Sequence, residues 1–269
     1  MEHSEAADSA ATGPGSQGTA PLHGRRVLVV GASSGIGRAL ARHAAQAGAR
    51  VVLAARRAEL LAEAAAEAGP DALPVACDVL DQASIDALAD RVGTELGGLD
   101  ALVYATGVDP LVRMADADAD LWGRVLATNV VGASLVCRAV LPHLEASRGR
   151  AVFLSASAVG RPLPGMGPYD ASKAALEEMV RAWRAEHAGV CFASAGVGPV
   201  LGTGVHAEWD RDLMGELAGV WENRGYLYDN GPGWMSVDEA AAGILNALTA
   251  PVCMHDFDVL PLPGAAAAG

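Results

Sequence analysis

Arg26-Val27-Leu28-Val29-Val30 passes without a break into Gly31-Ala32-Ser33-Ser34-Gly35-Ile36-Gly37. A continuous apolar run of this length marks a strand buried on both faces, as in a parallel sheet. The stretch from the glycines to Ala47-Gly48 carries a helical pattern. Strand, glycine-rich turn and helix together form an anion cradle, because glycines let the backbone approach a phosphate and the helix N-terminus offers free N–H groups and a favourable dipole. The spacing G-x-x-x-G-x-G differs from the usual dinucleotide G-x-G-x-x-G, and an ordinary βα turn is the plainer alternative.

The alternation continues along the chain. Strand-like Arg50 to Ala55 precedes a helix around Leu60-Leu61, then come strand Leu73 to Cys77, helix Ile85 to Leu96 and strand Asp100 to Tyr104. A long helix from about Leu121 to Leu144, strand Ala151 to Leu154, the helix headed by Tyr169 and strand Val190 to Ala193 follow, with a helix at Asp238 to Thr249 and a last strand at Phe257 to Leu260. This order predicts an α/β fold, one doubly wound parallel sheet of about seven strands with helices on both faces and right-handed crossovers. Ligands of such sheets bind beyond the carboxyl ends of the strands, where every motif named below falls. Residues 1–23, rich in Ala, Gly, Ser, Thr and Pro, read as a disordered tail, residues 24–264 as the domain, and 265–269 as a loose end.

A net charge of −13 with scattered Lys and Arg argues against nucleic acid or an anionic membrane as partner. Cys77, Cys137, Cys191 and Cys253 show no metal-ligand spacing and read as inert reduced thiols, and no metal is expected. No signal peptide is evident, and Val27 to Val30 is far too short to span a bilayer, so a cytoplasmic enzyme is the expectation.

Tyr169 and Lys173 stand four apart at the head of an apolar-periodic run, so on a helix they share one face. A cation beside a phenol favours the phenolate, and bringing a phenol from ~10 to near neutrality takes roughly 4 kcal/mol. Taken alone, such a pair is an ordinary helix Tyr and Lys. In a nucleotide-binding sheet an acid some 20 residues after the glycines takes the ribose 2′-hydroxyl. Here the second strand ends Leu53-Ala54-Ala55-Arg56-Arg57 with no acid. A guanidinium suits a 2′-phosphate, so Arg56 points to NADP and Arg57 reads as a surface helix cap. Asp78, ending the third strand, is placed to accept from an adenine amino group.

Together these residues resemble the short-chain dehydrogenase/reductase family over about Arg26 to Leu262: Gly31 to Gly37, Asp78-Val79, Asn129, Ser157 and Tyr169-x-x-x-Lys173 occur in the family's order. The resemblance implies a single Rossmann-type domain, a nicotinamide cofactor and an Asn129-Ser157-Tyr169-Lys173 tetrad. Tyr169 would exchange the proton with the substrate oxygen, Lys173 would lower its pKa and hold the nicotinamide ribose, Ser157 would position the substrate oxygen, and Asn129 would anchor a relay water. The family's serine stands three before a glycine, which selects Ser157 of Ser155 and Ser157 with Gly160. The cofactor would lie against Gly31, Ser33, Ser34, Gly35, Ile36, Gly37, Arg56, Asp78, Val79, Gly107, Val200 and Thr203 as well as Tyr169 and Lys173. Assembly as a homodimer or homotetramer through the helices Leu121–Leu144 and Tyr169–Glu186 is a further implication.

The chain departs from the family where Asn-Asn-Ala-Gly becomes Tyr104-Ala105-Thr106-Gly107, and where the Thr after Gly198-Pro199 falls on Gly202, with Thr203 one step late. Residues 202–235 correspond to the family's variable lid and hold five of the chain's twelve aromatics: Trp209, Trp221, Tyr226, Tyr228 and Trp234. Trp209 and Trp221 are the candidate substrate contacts in a broad, partly apolar pocket. The leading expectation is an NADP(H)-dependent carbonyl reductase or the reverse alcohol dehydrogenase. An epimerase or dehydratase using the same tetrad, and a regulatory NADPH-binding protein, are the rivals.

Overall fold

The computed structural model describes residues 20–204, 206, 209–223 and 233–262. Glu208, Arg224, Tyr226, Tyr228 and Asp229 of the lid lie outside these, as do residues 1–19 and 265–269 of the two expected tails. The residues just ahead of the first strand are packed onto the fold. Leu22 is buried, and its N–H donates to the Ala47 carbonyl at 2.8 Å, which fastens the entering chain to the end of the first helix.

The chain runs β1 (Arg26–Val30), α1 (Gly35–Gln46), β2 (Arg50–Ala55), α2 (Ala58–Ala68), β3 (Leu73–Ala76), α3 (Gln82–Arg91) and β4 (Ala101–Tyr104). It continues with α4 (Ala119–Leu126), α5 (Gly132–Ser147), β5 (Arg150–Ala156), α6 (Gly167–Glu186), β6 (Cys191–Val197) and β7 (Val200–Leu201). The last elements are α7 (Arg211–Asn223), β8 (Met235–Ser236), α8 (Val237–Thr249) and β9 (Asp256–Val259). Seven strands pair in parallel in the order β3-β2-β1-β4-β5-β6-β9. The order reverses between β1 and β4, the crevice where doubly wound sheets bind ligands.

The period of two along each strand builds two cores. Val27, Val29, Val51 and Leu53 pack with Leu40 of α1 and Ile244 of α8 on one face. Leu28, Val30, Val52 and Leu102 pack with Leu88 of α3, Val136 and Val140 of α5 and Leu176 of α6 on the other. Each such side chain, withdrawn from water, contributes about 1.5–3 kcal/mol. α8 begins with a reciprocal cap: the Glu239 N–H donates to the Ser236 hydroxyl, and the Ser236 N–H to the Glu239 carboxylate at 2.8 Å.

Where sequence periodicity implied one helix from Leu121 to Leu144, α4 and α5 are joined by a π-helical turn, Ala127–Val131. The combined helix is long and apolar enough to cross a membrane by length and composition. Its buried positions, among them Val125, Ala133, Val136, Val140 and Leu144, instead pack within the fold. Three elements had no sequence forecast. α7 is broken in pattern by Gly215 and Gly219, and the two-residue strands β7 and β8, which pair in parallel and bring the ends of the lid together, are too short to show a period.

The cysteines also differ from expectation. Cys191 and Cys253 form a disulfide across 62 residues, with Cα atoms 5.6 Å apart, while Cys77 and Cys137 are buried free thiols. Cys191 opens β6 and Cys253 lies just before the neighbouring β9, a proximity created only by the parallel pairing of those strands. Burial pushes the Cys137 thiol up to about 12, which keeps it protonated and inert.

Candidate active site

The glycine-rich turn is shaped by contacts that exclude any side chain. Gly31 has φ +91°, and a Cβ there would meet the Thr106 hydroxyl and the Ala105 backbone within 2.8 Å. A Cβ on Gly37 would overlap the Gly31 carbonyl, and Gly35, at φ +55°, lies under the Thr203 backbone. The loop after β7 therefore covers the turn, with Val200 buried at its base. Ser34 precedes α1 in extended conformation, and its side chain makes no capping bond, so the first N–H groups of α1 remain open to an anion. Ser33 is buried, Ile36 half-buried, and a cavity of about 350 Å³ beside the turn is lined by Ser34, Gly35, Arg38, Arg42 and Gly202. These residues fit a dinucleotide diphosphate.

The guanidinium that reaches this turn belongs to Arg57, not Arg56. Arg57 donates to the Ser33 and Ser34 hydroxyls at 3.0 and 2.7 Å, whereas Arg56 is exposed and makes no hydrogen bond or ion pair among the described residues. Beyond β2 successive side chains point to opposite sides, and only the second faces the turn. Asp78 lies two residues beyond β3; its carboxylate accepts from the Leu80 N–H at 3.0 Å, and Val79 beside it is buried against Gly132.

At the other end of the crevice four segments meet. A Cβ on Gly107 would lie 3.3 Å from Asn129 Oδ1 and 3.6 Å from Lys173 Nζ, so bare backbone passes over both. Asn129 is fully buried in the π-helical turn. Its amide accepts from the Val108 N–H at 2.8 Å and donates to the Val108 carbonyl at 2.9 Å and to the Ser172 hydroxyl at 2.8 Å. Ser172 in turn donates to the Tyr169 carbonyl at 2.7 Å, which ties Asn129 to the first turn of α6. Buried Lys173 donates to the Leu154 carbonyl at 2.7 Å, and its ammonium lies 5.5 Å from the centre of the Tyr169 ring. Ser157 follows β5, its N–H bonded to the Val197 carbonyl, while the Ser155 hydroxyl is turned to Glu177 at 2.7 Å.

The electrostatics differ from the pairwise expectation. Burial, assisted by the charges of Asp109 and Asp170, holds the Tyr169 phenol above its ordinary value. Burial pushes Lys173 down to about 8, against the opposing pull of Asp109 and Glu177. Withdrawal from water is thus the largest influence on the phenol. Asp170 is pushed up to about 6 by burial; one carboxylate oxygen accepts from the Leu163 N–H at 2.9 Å and the other is buried without a partner.

Tyr169 is half-buried and packs against a small apolar cluster of Leu111, Met166, Leu217 and Trp221, with Trp209 at its margin. Trp209 donates to the Asp109 carbonyl and Trp221 to the Pro164 carbonyl, each at 2.8 Å. Trp209 and Trp221 are therefore fastened to the body. Three further residues join the site without a sequence forecast. Ser172 and Asp109 sit in the named motifs' neighbourhoods, but nothing in their spacing marks them. Tyr104, noted as a departure, turns its hydroxyl to the Thr128 carbonyl at 2.8 Å and so braces the π-helical turn that carries Asn129.

Sheet order, crossovers and crevice define a Rossmann-type α/β fold. The short chain dehydrogenase pattern matches residues 25–213, and the chain belongs to this family of oxidoreductases. Over 247 residues, 90% of this chain, it is 32% identical to "Glycine betaine reductase ATRR" of Emericella nidulans, of which it spans only 19%. It is 36% identical to "D-threitol dehydrogenase" of Mycolicibacterium smegmatis over 70% of this chain and 75% of that one. A 3-ketoacyl-(acyl-carrier-protein) reductase from Brucella melitensis, complexed with NADH, shares the fold at 22% identity, with a TM-score of 0.78 over 89% of this chain and 98% of that one.

Proposed function

We propose that the protein is an NADP(H)-dependent oxidoreductase that reduces a carbonyl, or oxidises the matching alcohol, of a small to medium, partly apolar metabolite. The observation that carries this reading is the hydrogen-bonded chain from Val108 through Asn129 and Ser172 to the Tyr169 carbonyl, with buried Lys173 5.5 Å from the Tyr169 ring, and a phosphate cradle at the other end of the crevice. Reduced nicotinamide, when bound, supplies the hydride.

The chain's own residues do the rest. The turn from Gly31 to Gly37 receives the diphosphate on the open N–H groups of α1. Arg57, already bonded to Ser33 and Ser34, takes a 2′-phosphate by charge-assisted hydrogen bonds. The neutral phenol of Tyr169 gives its proton to the carbonyl oxygen, and Asn129 and Lys173 define the route by which that proton is replaced. Ser157, at the open end of β5, steadies the substrate oxygen, a role the Ser155 hydroxyl does not share while bonded to Glu177. Exposed Leu126 and Val131 on the α4–α5 helix support assembly through that face as a homodimer or homotetramer. A cytoplasmic location is proposed with the same function; the Cys191–Cys253 bridge would there face reducing conditions.

Replacing Tyr169 with Phe tests the assignment. Turnover of carbonyl substrates with NADPH should fall by about 10²–10⁴-fold, while NADPH binding followed by fluorescence stays within a few-fold. Turnover at the wild-type rate would discard it.

A further inference from the structure

Two side-chain rungs join α6 to the end of β5. Lys173 donates to the Leu154 carbonyl at 2.7 Å, and the next residue along the strand, Ser155, donates its hydroxyl to the Glu177 carboxylate at 2.7 Å. Leu154 turns its side chain into the core beside α1 and α8, so Ser155 faces the other side of the sheet, where α6 lies. Lys173 and Glu177 are one helical turn apart on a shared face of α6, a spacing that sets Cβ atoms about 5–6 Å from each other. Ser155 is itself buried, and its register partner on β6 is Gly196, which has no side chain to fill the space. Glu177 enters there and lines a cavity of about 270 Å³ together with Ser157, Ser194 and Gly196. The strand therefore seats this carboxylate beside Lys173. Its neighbour Glu178 is by contrast exposed and paired with Arg181.

A seated carboxylate matters here because Lys173 is buried and is the only lysine in the chain. Burial alone would discharge an ammonium, and at about 8 its proton is already loosely held near working pH. Two negative groups oppose that loss, Asp109 from the loop after β4 and Glu177 from α6 itself. The other groups against Lys173 add no charge: Tyr169 is neutral, its phenol held above its ordinary value, and Asn129 is an amide. On the far side of the cavity, Asp256 is paired with Arg184 and accepts from Ser194, and Asp258 adds a further negative charge.

We propose that Glu177 is a positioning residue for the carbonyl reduction: seated by Ser155 one turn beyond Lys173, its carboxylate keeps the buried ammonium charged. A charged Lys173 returns a proton to Tyr169 after each transfer to the substrate oxygen and is recharged from water. The proposal rests on the reductase reading and extends it to a residue outside the tetrad.

The test uses Glu177→Gln, whose amide oxygen still accepts from Ser155 while the negative charge is gone, and Glu177→Asp, which keeps the charge. Because the chain has one lysine, protein labelled with [ε-¹³C]lysine gives a single lysine NMR signal, and its titration needs neither substrate nor turnover. The midpoint should fall by about 0.5 pH unit or more in Glu177→Gln, and Glu177→Asp should restore at least half of that fall. An unchanged midpoint in Glu177→Gln, or no restoration in Glu177→Asp, overturns the proposal. In the reduction of 4-nitrobenzaldehyde by NADPH, the pH at which kcat declines on the alkaline side should fall by the same amount in Glu177→Gln. A merely structural role would lower kcat alike at every pH, and an alkaline limb that stays in place overturns the proposal. A shifted midpoint with no turnover of the aldehyde by any of the three proteins would support the hold of Glu177 on Lys173 and count against the reductase reading.

Discussion

At the start of the parallel strands, Arg26, Arg50, Arg150 and Cys191 stand in a row, each the first residue of its strand. Arg26 forks onto Asp100 at 2.8 and 3.0 Å, and Arg50 donates to the Glu95 carbonyl. Arg150 donates to the Ala247 and Ala250 carbonyls, and Cys191 is bonded covalently to Cys253. At the far ends of the same strands stand Gly31, Arg57, Asp78, Gly107 and Ser157, where backbone is bare, side chains are short and buried polar groups form chains. One edge is fastened and the other is kept open. A parallel sheet makes this division possible because all its strand ends lie together, and the loops leaving them can converge on one ligand.

The division can be broken by variants that should each strike one edge and spare the other. Cys253→Ser, at the fastened edge, removes a bridge closing a loop of 62 residues and should cost about 2–4 kcal/mol in denaturant unfolding under non-reducing conditions, with kcat/KM unchanged. Arg57→Ala, at the open edge, removes the proposed 2′-phosphate contact, worth about 1.5–3 kcal/mol, so the proposed preference for NADPH over NADH in kcat/KM should drop roughly 10–100-fold. Arg56→Ala should leave that preference within about twofold, since exposed Arg56 does not touch the turn. Equal losses from the two arginines would blur the distinction between them.

Tyr104→Phe lies between the edges. It strips the Thr128 carbonyl of its buried donor and should cost about 1–2 kcal/mol of stability. Because the braced turn carries Asn129, the pH dependence of kcat should shift as well, which a purely structural role would not produce. Asp170→Asn acts through pH. The carboxyl is pushed up to about 6, so the folded state keeps a proton that the unfolded chain releases near pH ~4. Its contribution to stability is present below pH ~4 and is lost as the pH rises through 6. Removing the ionisable group should flatten the pH dependence of the unfolding free energy over that window, by about 2–3 kcal/mol.

The open edge was the more legible of the two in the chain itself. Glycine spacing, the Tyr169–Lys173 interval and the apolar strands each reflect local rules, and the fold class follows from their alternation. The fastened edge was not legible, because Cys191 and Cys253 meet through strand pairing that no local signal encodes. Which of Arg56 and Arg57 bonds the Ser33 and Ser34 hydroxyls was not legible for a related reason: adjacent arginines are equivalent in sequence and differ only in which side of the strand end they leave.

Some properties of this protein were settled by sequence alone. Apolar periodicity dictated buried parallel strands, and a turn that only glycines can occupy marked where a phosphate could approach. Tertiary structure decided the electrostatics and the neighbours. The phenol of Tyr169 rises rather than falls because burial and the charges of Asp109 and Asp170 disfavour a charged oxygen there. Asp109, Ser172 and Tyr104 acquired positions in the site because folding brought β4, the π-helical turn and α6 together. Periodicity reports which face of an element is dry, and it is silent about which polar groups will share the space that drying creates.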